Sequence, residues 1–234
     1  MPHPLYRLLL ILLTCALPLT AVHATDPAAP PTFEEGKDYL RLPTSLPTAT
    51  PGKIEVMEFF SYTCPHCRSL EPSAQAWLKR KPENVAFMRI AVSFSANWEP
   101  SARAYYAAEA LGVLDKVHQP LFEAVHNNPR INLDEFAAFF AEQGVDQDAF
   151  RKAYSSFQTE TQLRRGTQIA QRYKINGVPA IIVNGEYDVR SPRMFETVDF
   201  LIAQKVAVPT PVPTPVPTPV PTPVPTPVPT PAPN

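Results

Sequence analysis

From Val208 onward the chain reads VPTPVPTPVPTPVPTPVPTPVPTP, six copies of one tetrapeptide, followed by Ala232-Pro233-Asn234. A proline at every second position has no amide to donate and holds its predecessor extended, so this stretch can enter neither helix nor sheet. Residues 208–234 are expected to be a disordered tail of polyproline II character, roughly 80 Å long at about 3.1 Å per residue. Such a perfect repeat can arise by expansion and do little. It can also serve as a stiff spacer across a cell envelope, or offer threonines for O-glycosylation. Whatever folds lies upstream of it.

The opposite end is equally separable. Arg7 precedes an apolar run, Leu8–Leu13, that continues through Cys15 to Val22, and Val22-His23-Ala24 is a small-x-small cleavage site. Residues 1–24 therefore read as a secretory signal peptide. Pro18 interrupts a run already short of the ~20 residues a membrane helix needs. Thr14 is a poor residue before a lipidated cysteine, which disfavours a lipid anchor on Cys15. The remaining 183 residues, 25–207, suffice for one domain with a full hydrophobic core. A formal net charge of −1 with no basic run gives no reason to expect nucleic acid as a partner. Export places the chain in an oxidising compartment, expected to be the periplasm, where a cysteine pair can persist as a disulfide. Of the three cysteines only Cys64 and Cys67 survive removal of the leader.

Those two lie in FFSYTCPHCRSL, straight after an apolar strand. Three readings compete: half of a metal site, a structural staple, or a redox centre. A zinc site usually takes four ligands, but there is no second CxxC, and only His66, His118 and His126 remain in the mature chain. No metal and no organic cofactor is expected. A staple is the weakest reading, because two residues so close in sequence cannot tie a large domain together. The redox reading has geometric support: positions i and i+3 in a first helical turn lie about 5–6 Å apart, within disulfide range. Cys64 would stand at the helix N-terminus, where free amides and the dipole stabilise a thiolate, as an exposed, acidic sulfur. Cys67, one turn in, would be shielded. An imidazole at His66, behind Pro65, would favour the thiolate further and so make the disulfide the more oxidising form. The plain alternative for His66 is an idle surface residue.

Around the pair, Lys53–Phe60 reads as a buried strand, Cys64–Lys79 as a helix bent at Pro72, and Asn84–Phe94 as a second strand. Strand, helix, strand at this spacing is a βαβ unit with parallel strands. A helical stretch follows at about residues 98–173. Its clearest member is Leu133–Gln143, with Asn132 and Glu135 as cap and Gly144 as stop. Then come Ala180–Val183, the hairpin signal Asn184-Gly185, Glu186–Val189, and a last helix over Ser191–Lys205. The fold class is α/β with a helical insertion.

Phe59-Phe60 leading into Cys64-Pro65-His66-Cys67 and Glu71, with Gly177-Val178-Pro179 ahead of Ala180–Val183, resembles the DsbA family of exported thiol:disulfide oxidoreductases. The likeness spans roughly residues 35–205. It implies a thioredoxin fold with an inserted helical domain and a strongly oxidising cysteine pair, the property for which this family is itself a standard illustration. It also implies that Pro179 is cis and faces the pair, with the Val178 backbone offered to an extended substrate. Residue pattern alone would have Pro179 trans, opening a strand. Glu58 and Glu71 match acidic positions of the family and Arg89 a basic one. The carboxylates would exchange protons with Cys67, tune the thiolates by charge, or simply be solvated. The activity implied is donation of the Cys64–Cys67 disulfide to reduced, newly secreted proteins, with reoxidation by a quinone-linked inner-membrane partner. A monomer is expected. The rival readings are a disulfide isomerase or reductase on the same fold, and a non-enzymatic envelope binding module. Isomerases of the superfamily carry an N-terminal dimerisation domain and tend to have threonine where this chain has Val178.

Overall fold

The structure, a computed structural model, describes residues 31–207. The expected signal peptide and repeat tail lie outside the described residues. The order of elements is β1 (Tyr39–Arg41), β2 (Ile54–Phe60), α1 (Pro65–Leu78), β3 (Val85–Ala91), then helices α2 (Glu99–Ala110), α3 (Leu114–Asn127), α4 (Leu133–Glu142), α5 (Gln147–Tyr154) and α6 (Phe157–Arg172), and finally β4 (Ala180–Val183), β5 (Tyr187–Val189) and α7 (Met194–Ala207). The strands form one sheet in the order β1-β5-β4-β2-β3. β2 and β3 run parallel, as a βαβ crossover demands, and the other pairings are antiparallel.

β2 is the central strand, and every residue from Glu55 to Phe60 is buried. Its side chains alternate between two covered faces. Val56 packs with Trp77, Val183, Val198 and Leu201, joining α1 and α7 to the sheet. Met57 and Phe59 turn the other way, onto Ala170 and Tyr173 at the end of α6. At the C-terminal end of the strand Phe60 enters a third cluster, built with Tyr62, Tyr105, Leu121, Phe122 and Phe140 of the inserted helices. Helix α1, with the cysteine pair at its start, thus emerges where sheet and insertion meet.

Local chemistry accounts for the boundaries. Asn132 accepts from the amides of Asp134 and Glu135, while the Glu135 carboxylate accepts from the Asn132 amide, a complete capping box opening α4. Asn184 (φ 51°) and Gly185 (φ 64°) both adopt the left-handed region that a tight two-residue hairpin requires. Helix α1 runs unbroken through Pro72. The last helix starts at Met194, beyond the Ser191 expected from pattern, because Ser191 gives its hydroxyl oxygen to the Arg193 amide. β1 has no counterpart in the sequence reading: three residues are too few to show an alternation.

Candidate active site

Cys64 is the N-cap of α1, with extended backbone angles (φ −88°, ψ 117°). Pro65 follows at the first helical position, where its missing amide leaves no bond unmade. The sulfur of Cys64 does what a capping oxygen usually does: the Cys67 amide donates to Cys64 Sγ at 3.4 Å. Both cysteines are free thiols. The Cys64 thiol is held down to about 6, first by its hydrogen bond with the Cys67 thiol, against the cost of burial. The amides of Cys67 and His66 assist, and the charge of His66 adds the smallest part. The Cys67 thiol is pushed far above its ordinary range by that same bond and by burial. One sulfur is an ionised nucleophile and leaving group; the other is a neutral thiol.

Two expectations change. Cys64 is not exposed: only 7% of its surface is open, against 1% for Cys67. The cover is Val178, whose carbonyl oxygen lies 3.3 Å from Cys64 Sγ and accepts from it when the thiol is protonated, and the Val178–Pro179 bond is cis. Pattern alone would have made that bond trans, since only the family likeness reaches across the 114 residues separating the two segments. His66 is exposed and secondary, because amides at the helix start outweigh a side chain that points into water.

The carboxylates are buried, not solvated. Glu58 and Arg89 are register partners in the parallel β2–β3 pair, so their side chains leave the sheet on one face, 2.9 Å apart. Glu71, one turn beyond Cys67 on α1, reaches the same guanidinium at 2.9 and 3.1 Å. It also accepts from the Gln75 amide at 2.6 Å. Burial raises Glu58, and the charges of Arg89 do not fully offset it. In Glu71 burial is outweighed by His118 and Arg89, which hold the carboxyl below its usual range.

Two members of this cluster were not singled out from sequence. His118 Nε2 lies 3.4 Å from Glu71 Oε2, and its Nδ1 lies 2.6 Å from the Tyr62 hydroxyl. Tyr62 belongs to the turn just before Cys64 and is fully buried. The available signal for His118 was its place on the apolar stripe of α3, between Val117 and Leu121, where a histidine must find a buried partner. Among the described residues no three His, Cys, Asp or Glu side chains gather so as to hold a metal ion.

A central βαβ unit with a dithiol at the helix start and a backbone carbonyl over it defines a thioredoxin-fold oxidoreductase. A family model described as "DSBA-like thioredoxin domain" matches residues 83–201. The thiol:disulfide interchange protein DsbA of Azotobacter vinelandii is 40% identical over 185 residues, 76% of this chain and 86% of that protein. Among solved structures, the oxidoreductase DsbA of Xylella fastidiosa superposes with a TM-score of 0.70 at 34% identity, over 77% of this chain and all of the other. Pseudomonas aeruginosa DsbA gives 0.70 at 33% identity, over 75% and 95%. The chain belongs to the DsbA family, and it is a disulfide-forming thiol:disulfide oxidoreductase.

Proposed function

We propose that the protein works in the periplasm, oxidising reduced, newly secreted proteins with its Cys64–Cys67 disulfide. A substrate thiolate attacks Cys64 Sγ, the S–S bond opens, and its electron pair leaves on Cys67, which takes a proton. A second substrate thiolate then attacks the substrate sulfur of the mixed disulfide and expels Cys64 as a thiolate. The substrate has lost two electrons and the enzyme pair has gained them. The observation that carries this reading is the asymmetry of the sulfurs: Cys64 is held at about 6 while Cys67 is pushed far up. The better leaving group is thus the sulfur bound to substrate, so the step runs toward release.

Val178 and Pro179 form the substrate-facing turn, where the Val178 backbone would pair with an extended segment. Beside Thr63 a groove of about 570 Å³, edged by Trp98, Ser101 and Ile131, offers room for residues flanking the substrate cysteine. Glu58, whose charge acts on Cys67, and Glu71, one turn beyond it on α1, are the groups to exchange protons with Cys67, and Pro65 and His66 tune the helix start. Export through the leader and reoxidation by a quinone-linked inner-membrane partner complete the cycle, both on family grounds. A Cys67→Ala variant should accumulate mixed disulfides on Cys64. The redox potential separates a donor from a reductase: a value near that of thioredoxin, about −270 mV, would exclude the donor.

A further inference from the structure

The cluster beneath the cysteines does not balance. Glu58 and Glu71 are 2% and 3% exposed, and the single guanidinium they share, Arg89, is 12% exposed. Two carboxylates against one cation leave a net negative charge in a dry pocket, which is costly unless a proton is bound. His118 could supply the missing cation, since it is 5% exposed and faces Glu71. Its surroundings disfavour that, since burial holds the imidazole below its ordinary range. The Tyr62 hydroxyl keeps its proton, because burial drives its ionisation far up. Nε2 lies 3.4 Å from the Glu71 carboxylate, within ion-pair range but without a hydrogen bond, and the neutral ring that suits this site accepts the Tyr62 O–H at Nδ1, 2.6 Å away. A second proton on the ring would sit on Nδ1, and the Tyr62 O–H would have to turn away and lose its partner for the oxygen to accept it. The other groups packed on the ring are Arg89, which repels a charge, and Tyr105, Phe60 and Phe122, which cannot stabilise one by hydrogen bonding at Nδ1. Glu109 stands farther out on α2, where its charge acts on Tyr105 and Tyr106.

The bound proton must then sit on a carboxylate, and the hydrogen bonds choose which. Glu71 receives the Gln75 amide and two contacts from Arg89 Nη2, with the imidazole 3.4 Å away, and is well served as an anion. Among the described residues Glu58 has only the one bond from Arg89 Nε. We propose that Tyr62 and His118 are positioning residues: by keeping the imidazole neutral they leave the cluster one cation short, which retains a proton on Glu58 for Cys67. The charge of Glu58 is felt at Cys67. When the S–S bond opens, Cys67 leaves with the electron pair and takes the Glu58 proton, leaving a carboxylate. When the disulfide re-forms, the Cys67 proton returns to Glu58. This assignment rests on the reading of Glu58 as proton partner of Cys67.

The test uses the full-length oxidised protein. The infrared carboxylic-acid band that disappears in Glu58→Gln identifies the proton, and the imidazole of His118 is followed by NMR against pH. His118→Lys supplies the missing cation and should abolish the band at neutral pH, slowing opening of the disulfide by a dithiol peptide about tenfold or more. His118→Gln, neutral and of similar reach, should keep the band. Tyr62→Phe, which removes one hydroxyl, should let the imidazole take its second proton about one pH unit higher and lower the Glu58 midpoint with it. A band unchanged in both His118→Lys and Tyr62→Phe overturns the assignment, even if Glu58→Gln is slow. If Glu58→Gln opens as fast as the parent, Glu58 is no proton donor and both readings fall.

Discussion

Val56 and Glu58 sit two residues apart on β2 and leave the sheet on the same face, yet they enter opposite kinds of interior. Val56 meets Trp77, Val198 and Leu201, an apolar pocket under α7 with no charge to satisfy. Glu58 meets Arg89, which also holds Glu71 beside His118, a charged pocket at the seam with the inserted helices. The first gains stability from every atom it hides. The second spends desolvation that pairing only partly repays, and it lies directly beneath the cysteines. Charge next to a thiol changes what the thiol does, and the charge of Glu58 acts on Cys67, whereas a leucine there would only pack.

That contrast is broken most sharply at Arg89. Arg89→Leu leaves the buried Glu58 and Glu71 without their shared cation, which should cost about 3–5 kcal/mol near neutral pH. In the variant both carboxyls are raised above their unfolded values, so the penalty exists above the ordinary carboxylate range and fades as pH falls and they protonate. Denaturant unfolding at neutral and acid pH measures it. Leu201→Ala, in the dry pocket, should cost about 3 kcal/mol by lost burial and a cavity. Its loss should be the same at both pH values. An Arg89→Leu penalty that ignores pH would mean the seam is held by packing, like the pocket under α7.

Cys64 sharpens the comparison on the seam's outer edge. Its folded value of about 6 lies below the ordinary 9.0, so it is a depressed group. Its contribution to the reduced protein is full above pH ~9 and is lost as pH falls through about 6. At pH 7 the difference is on the order of 1 kcal/mol. The oxidised protein has no such thiol. Chemical unfolding of both forms should therefore show the reduced form gaining on the oxidised one between pH 6 and 9, and thiolate absorbance should give a midpoint near 6. His66→Ala should move that midpoint up only slightly, since the amides of the helix start remain. A large shift would return His66 to the leading part that sequence alone suggested.

How much of this was legible differs between the same two regions. The strand, helix, strand order and the parallel pairing follow from apolar runs and spacing, which are local. So are the capping box at Asn132 and the turn at Asn184-Gly185. The cysteine pair and its helix start are also contained within one short stretch. Val178 over Cys64 is not local, and only family likeness pointed to it. Glu58, Glu71 and Arg89 could be named as matching family positions, but their burial around one guanidinium depends on register between strands. Tyr62 and His118 escaped notice because a tyrosine beside a strand and a histidine on an apolar helix face look like core. What makes them more is a 2.6 Å bond spanning 56 residues.

The smallest effect is expected where the seam's chemistry is repeated in water. Arg68 on α1 donates to both oxygens of Glu123 on α3, at 2.8 and 2.6 Å, so it too joins the active-site helix to the insertion. Its geometry is as good as that of Arg89, but the side chains are 45% and 52% exposed. Solvent screens the attraction, and two long side chains lose rotamer freedom to hold one arrangement. Arg68→Ala should therefore cost less than about 1 kcal/mol, and the loss should shrink at high salt. A double-mutant cycle with Glu123→Ala, read by denaturant unfolding, isolates the pair. The Cys64 midpoint should stay where it is. A coupling of several kcal/mol, or a shifted thiolate titration, would show that the ion pair on the surface is continuous with the buried one, and that burial is not what separates them.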